Sequence, residues 1–207
     1  NHDWEVRAFL PHLKEAGVVA GGERTAMKRV HPTGFYVGEF TEHPGDYTLA
    51  GETWDGRAVQ QEDPYRFPML ISDHDIYLFG EGNLQLAYEA LGAHIVECEG
   101  RRGTRFVTWA PNALVVSVIG EFNGWDTRRN PMRLRNGGIW EIFLPGVGEG
   151  TPYNLFVKSK FKGHEQQKAD PYGFLMEVPP KSASVVWNID KYEWHDQAWM
   201  ERRGRTD

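Results

Sequence analysis

Short apolar-rich segments recur along the chain, each bounded by Gly, Pro or Asn. "RFVTW", "LVVSVI", "IWEIFL" and "YNLFVK" are the clearest. They are rich in β-branched and aromatic residues, and little of the chain repeats at a helical period, so they predict strands. Within "IWEIFL", Trp140, Ile142 and Leu144 alternate with Glu141 and Phe143, which makes one face apolar throughout and the other mixed. "TWDGR" and "FKGHE" mark hairpins, since Asp-Gly suits a type I′ turn. One helical pattern stands out: Asn83 as cap, Leu84, Ala87, Tyr88 and Leu91 as apolar stripe, and Gly92 as stop. Just before it, "SDHD" (Ser72 to Asp75) fits a capping box for another short helix.

The pattern occurs twice. "VRAFLP" from Val6 is echoed by "RFVTWAP" from Arg105, and "MKRV…GFYVGE" from Met27 by "MRLR…GIWEI" from Met132. "YTLAGETWDGRAVQQEDPYRF" from Tyr47 is echoed by "YNLFVKSKFKGHEQQKADPYGF" from Tyr153, with Gly56 matching Gly163 and the "DPY" triplets at Asp63 and Asp170. The offset drifts from 100 at the Pro pair to 105 at the Met pair and 106 to 107 beyond. Ordered correspondences with slow drift imply two homologous units in tandem. The expected fold is all-β: two immunoglobulin-like β-sandwiches joined by a short helical segment, with the junction near residue 92.

The copies differ in one place. Fifteen residues separate Pro11 from Met27, whereas twenty separate Pro111 from Met132. The turn "GEFNGWD" (Gly120 to Asp126) falls in the longer stretch and has no counterpart in the first copy. Gly, Asn and Asp form turns, but a Trp there must either fold back on the edge of its own sandwich or be held out for a ligand. Sugar rings offer apolar C–H faces and a rim of hydroxyls, and Trp125 flanked by Asn123 and Asp126 supplies a partner for each.

Composition narrows the field. Hydrophobic residues make up 40% of 207 and aromatics 13%, enough for a packed core. A net charge of −6 with no long basic run argues against nucleic acid, and the longest nearly apolar run, "ALVVSVIG", is far short of a membrane span. "NHDWEVRAF" shows neither an initiator Met nor a signal-peptide pattern, so a segment of a longer chain is expected. Cys98 is the lone cysteine, which fits a reducing compartment.

Other candidates read as structural. "DHD" at Asp73 to Asp75 caps a helix rather than binding a metal, and "GVGEGTP" lacks the Lys-Ser/Thr of a phosphate loop. Arg128, Arg129, Arg133 and Arg135 read as a solvated surface in preference to a ligand clamp. A glycosidase needs two convergent carboxylates, usually at the ends of barrel strands. Nothing alternates strand and helix here, so no catalytic residue, metal or cofactor is expected.

With these residues in view, "GTRFVTWAPNALVVSVIGEFNGWDTRRNPMRLRNGGIWEIFLPG" resembles the glycogen-binding type of carbohydrate-binding module that precedes the catalytic barrel of glycogen branching enzymes. "LFGEGN…YEALGAH" (Leu78 to His94) is similar to the junction between that module and an additional N-terminal sandwich in longer bacterial branching enzymes. "WHDQAWMERRGRTD" resembles the connector into their barrel. The resemblance implies units at 1–92 (truncated at its start), 93–194, and a connector at 195–207. It implies the noncatalytic part of a cytoplasmic 1,4-α-glucan branching enzyme, a retaining glycosyltransferase that moves cut α-1,4 segments to 6-hydroxyls. Its partners would be α-glucan (glycogen, maltooligosaccharides) and its own barrel, with the catalytic machinery outside this chain.

In glucan-binding relatives the Trp of "F-N-x-W" stacks on glucose, and Trp125 matches it. The second stacking Trp has no match, because Gln167 holds that place. A sugar-contacting Asn on the last strand falls on Trp187 or Asn188. Asn123, Trp125, Trp187 and Asn188 are therefore the candidate glucan contacts. The rival readings are a structural module whose sugar site has decayed, or the N-terminal region of a debranching or trehalose-releasing relative.

Overall fold

The computed structural model of the chain describes residues 4–203; residues 1–3, and 204–207 of the expected connector, lie outside them. The first unit runs β1 (Trp4–Phe9), β2 (Leu13–Ala20), β3 (Glu23–Ala26), β4 (Lys28–His31), β5 (Phe35–Phe40), β6 (Tyr47–Thr53) and β7 (Ala58–Glu62). These pair as two antiparallel sheets, β1-β5-β4 and β3-β2-β6-β7, around a core that includes Leu10, Leu13, Val18, Tyr36 and Leu49. Alternation places Val18, Tyr36 and Leu49 on the inner faces, the register shift in β2 turns Leu13 inward as well, and each fully buried side chain contributes about 1.5–3 kcal/mol.

The second unit repeats the plan. It contains β8 (Gly92–Cys98), β9 (Arg101–Trp109), β10 (Ala113–Gly120), β11 (Arg133–Leu134), β12 (Ile139–Pro145), β13 (Pro152–Ser159), β14 (Glu165–Lys168), β15 (Leu175–Met176) and β16 (Ser184–Val185). One sheet orders β11-β12-β9-β8. The other orders β10-β13-β16-β15, with β14 also on β13. Trp140, Ile142 and Leu144 point into the core with Phe106, Val118 and Tyr153.

The duplication holds down to single hydrogen bonds. Tyr47 Oη donates to Asp63 at 2.7 Å, and Tyr153 Oη to Asp170 at 2.7 Å. The other oxygen of each carboxylate accepts the backbone N–H of Tyr65 or Tyr172, both at 2.9 Å. Met27 N donates to Ala16 O as Met132 N does to Val116 O, and β2 and β10 carry a register shift at the matching place, Leu13/Glu15 and Ala113/Val115. Gly34 and Gly138 both have positive φ, and a Cβ on either would lie 2.5 Å from the Cα of Pro11 or Pro111. Alanine at Gly34 or Gly138 should therefore cost about 2–4 kcal/mol, the strain of left-handed backbone plus a backbone clash. At Gly45, whose φ is also positive but whose surroundings are open, alanine should cost only about 1 kcal/mol. Urea unfolding of the three variants checks this.

Three local expectations need correction. The helix expected from Asn83 to Gly92 is a single turn, α2 (Ala87–Ala90), with no side-chain cap; Leu91 is already extended and β8 starts at Gly92. Most of its apolar stripe packs, with Leu84, Ala87 and Leu91 against Ile71, Ile76, Val107 and Ile139, whereas Tyr88 is exposed. α1 (Asp73–Gly80) forms as expected, with Ser72 accepting the Asp75 N–H. The Asp55-Gly56 hairpin is not type I′, since only Gly56 has positive φ, whereas Lys162 and Gly163 both do. The third concerns the arginines: Arg129, Arg133 and Arg135 are not a solvated surface.

They fasten the two units. Arg133 Nη2 donates to Phe67 O at 2.9 Å. Arg135 reaches Glu141 at 2.9 Å and Asp73 at 2.8 Å. Glu141, only 1% exposed, accepts the backbone N–H groups of Leu70 and Ile71. The mixed face of β12 is thus covered by the segment between the units, where Phe143 packs on Phe67 and the buried free Cys98. Beside it, Arg66 pairs with Asp46, Glu62 and Glu99, and Arg101 with Asp46 and Glu62.

Candidate functional site

β10 and β16 both run antiparallel to β13 and flank its first residues, with Gly120 opposite Tyr153 and Val185 opposite Pro152. Their ends therefore leave the sheet side by side, about 10 Å apart at two strand spacings. The "FNGWD" turn continues one end, and Trp187 and Asn188 continue the other.

The turn is built from inside. Gly120 leads into a 3-10 turn (Glu121–Asn123), then Gly124 and Trp125 both take left-handed backbone, φ 65° and 58°. Asn123 is 2% exposed. Its Oδ1 accepts Gly120 N–H at 3.1 Å, and its Nδ2 donates to Val118 O at 2.9 Å and Asn130 Oδ1 at 2.7 Å. Trp125 N–H donates to Gly120 O at 2.9 Å. An aromatic residue in that backbone region is an outlier costing about 1–3 kcal/mol. Trp125 is 37% exposed. Asp126 spends both oxygens on Arg128, whose hydrogen bonds hold the carboxyl below its usual range.

Trp187 is half-buried with Lys191 Nζ 3.3 Å from the centre of its ring, and Asn188 caps the following turn by accepting Asp190 N–H at 3.0 Å. Val186 is buried in the core, so alternation turns Val185 and Trp187 to the outer face of the sheet. Gln167, on β14, pairs with Phe156 of β13, is exposed, and shares that outer face with Asn154. Asn154 Oδ1 is buried without a hydrogen-bond partner, a feature sequence reading missed. Its place two residues beyond Pro152, between the two candidate ends, was the available signal.

The structure brings Trp125 and the Trp187–Asn188 pair to one sheet end. It does not bring the Asn123 side chain to the surface, since that amide is consumed inside the turn.

Residues 90–173 match the family "Carbohydrate-binding module 48 (Isoamylase N-terminal domain)", and residues 1–65 match "alpha-1,4-glucan branching enzyme GlgB, N-terminal domain". The chain is 50% identical over 202 residues to the 1,4-alpha-glucan branching enzyme GlgB of Rubrobacter xylanophilus, covering 96% of this chain and 28% of that protein. It is 43% identical over 204 residues to GlgB of Paramagnetospirillum magneticum, covering 98% of this chain and 27% of that protein. Superposition on pullulanase from Anoxybacillus sp. LM18-11 gives a TM-score of 0.42 at 16% identity, over 92% of this chain and 27% of that one. The chain thus spans little more than a quarter of the curated relatives it matches. No helix among the described residues is long and apolar enough to cross a membrane. The chain is matched, domain by domain and nearly end to end, to the N-terminal region of GlgB-type 1,4-alpha-glucan branching enzymes.

Proposed function

We propose that the chain is the noncatalytic N-terminal part of a 1,4-α-glucan branching enzyme, and that the Trp125 end of its second sandwich is a contact for α-glucan chains such as glycogen. The observation that carries the reading is Trp125 itself. A large ring held partly exposed in left-handed backbone, by a turn the first sandwich lacks, is strain that a purely structural module has no use for. Trp187 and Asn188 complete the contact from the neighbouring strand end. The reading divides the chain at 1–92, 93–194 and 195–207. It gives the last stretch, with Trp199 exposed, to packing against a catalytic barrel. The setting is cytoplasmic, where the free Cys98 would stay reduced.

Calorimetric titration of the 207-residue chain with maltoheptaose tests the contact. Trp125→Ala should weaken binding at least 5-fold, consistent with about 1–3 kcal/mol for one stacked ring by analogy with base stacking. Gln167→Trp, which adds a ring on the same sheet face, should tighten it by about 10-fold. Unchanged affinity in both variants sinks the binding role and leaves a structural module.

A further inference from the structure

The Trp125 turn is followed at once by three residues that touch the other sandwich. Arg128 stands over the Phe9 ring, 5.7 Å from its centre. Arg129 Nη1 donates to Asn123 O at 3.2 Å, and its Nη2 lies 3.5 Å from His12 Nε2. Pro131 O accepts the Tyr65 hydroxyl at 2.9 Å. One guanidinium therefore bridges the carbonyl two residues before Trp125 and an imidazole of the first sandwich.

His12 can only accept from Arg129 if Nε2 carries no proton. Burial, and then the nearby Arg129 charge, push its pKa down to about 4, so the ring is neutral near pH 7. Arg129 is itself half-buried, and the Asp126 charge compensates it in part. A left-handed aromatic residue persists only where its surroundings over-determine it. The Asn123 network does part of this within the second sandwich, and the contacts at 128, 129 and 131 add constraints from outside it.

We propose that the first sandwich braces the Trp125 turn, with Arg129 as the positioning residue anchored at His12, and with Arg128 over Phe9 beside it. The first sandwich is then part of the sugar site although it touches no sugar. The binding consequence rests on the reading of Trp125 as a glucan contact; the brace itself does not.

The test uses the 207-residue chain labelled with 5-fluorotryptophan, the Trp125 fluorine resonance being the one lost in Trp125→Phe. Arg129→Met should shift and broaden that resonance while leaving the core Trp140 resonance in place. It should also weaken maltoheptaose binding about 5- to 10-fold, the scale of coupling between contacting residues. His12→Leu should act in the same direction, and His12→Gln, which keeps an acceptor, should stay within twofold of the parent. An unmoved Trp125 resonance and unchanged affinity in Arg129→Met and His12→Leu would overturn the brace. Should Arg129→Met fail to fold, His12→Leu decides alone. If the parent chain does not bind maltoheptaose, the glucan reading fails and the fluorine resonance still decides the brace.

Discussion

Replacing Glu141 by Ala is expected to lower the stability of the chain by about 3–5 kcal/mol, the cost of leaving a buried charge partner unmatched. The carboxylate sits on the outer face of β12 and is shielded from solvent. It takes the backbone N–H groups of Leu70 and Ile71 and the Arg135 guanidinium together. Deletion leaves the Leu70 and Ile71 amides without their acceptor and strips Arg135 of its buried carboxylate, leaving it the exposed Asp73. Because those amides belong to the segment joining the units, the loss should also loosen one unit from the other, and a single urea transition should split in two. Glu141→Gln retains an oxygen for the amides and should cost less. A loss below about 1 kcal/mol in Glu141→Ala would contradict a fastener at this position.

The second large effect is expected at the duplicated tyrosine–aspartate pair. Tyr153→Phe removes the hydroxyl donor to Asp170 Oδ2, a buried carboxyl whose other oxygen is held by Tyr172 N–H. The expected cost is about 2–3 kcal/mol, the penalty for stranding a buried acceptor. Burial already raises the Asp170 pKa, and the Tyr153 hydrogen bond pulls it back in part. In the variant the pKa should climb further. A carboxyl with a raised folded pKa binds more protons folded than unfolded, so stability falls as pH rises from the ordinary Asp value through the folded one. That fall should extend to higher pH in Tyr153→Phe. Tyr47→Phe should behave alike at Asp63, whose carboxyl is also raised by burial. Urea melts between pH 4 and 8 measure both. Opposite behaviour of the two variants would mean that the copies share shape without sharing energetics.

What could be read from sequence follows from where the information lies. The repeat was visible because its marks are local: Pro11 and Pro111, Met27 and Met132, and the two "DPY" triplets occupy turns and strand starts whose spacing survives divergence. The strands followed from alternation in the same way. The fasteners were invisible because they join residues far apart, as Glu141 does with Leu70 and Ile71, and polar groups on a strand or turn read as a wet face. Asn123 was misread for a related reason. A turn-forming residue can hold its turn from within as easily as it can face a ligand, and only the three hydrogen bonds of its amide decide between them. His12 gave no sign either, since its partner Arg129 lies in the other copy. The helix at 84–91 failed because its apolar stripe is satisfied by packing on β9 and β12 and needs only one helical turn to do so.

A maltoheptaose titration of the 15N-labelled 207-residue chain, followed by amide and indole resonances, addresses the central claim most directly. Saturable shifts are expected at the Trp125 indole, along Glu121–Asp126 and at Trp187 and Asn188, with little change in β2 or β6 of the first sandwich. Shifts confined to other surfaces, or none at saturating sugar, would contradict a glucan contact at this sheet end.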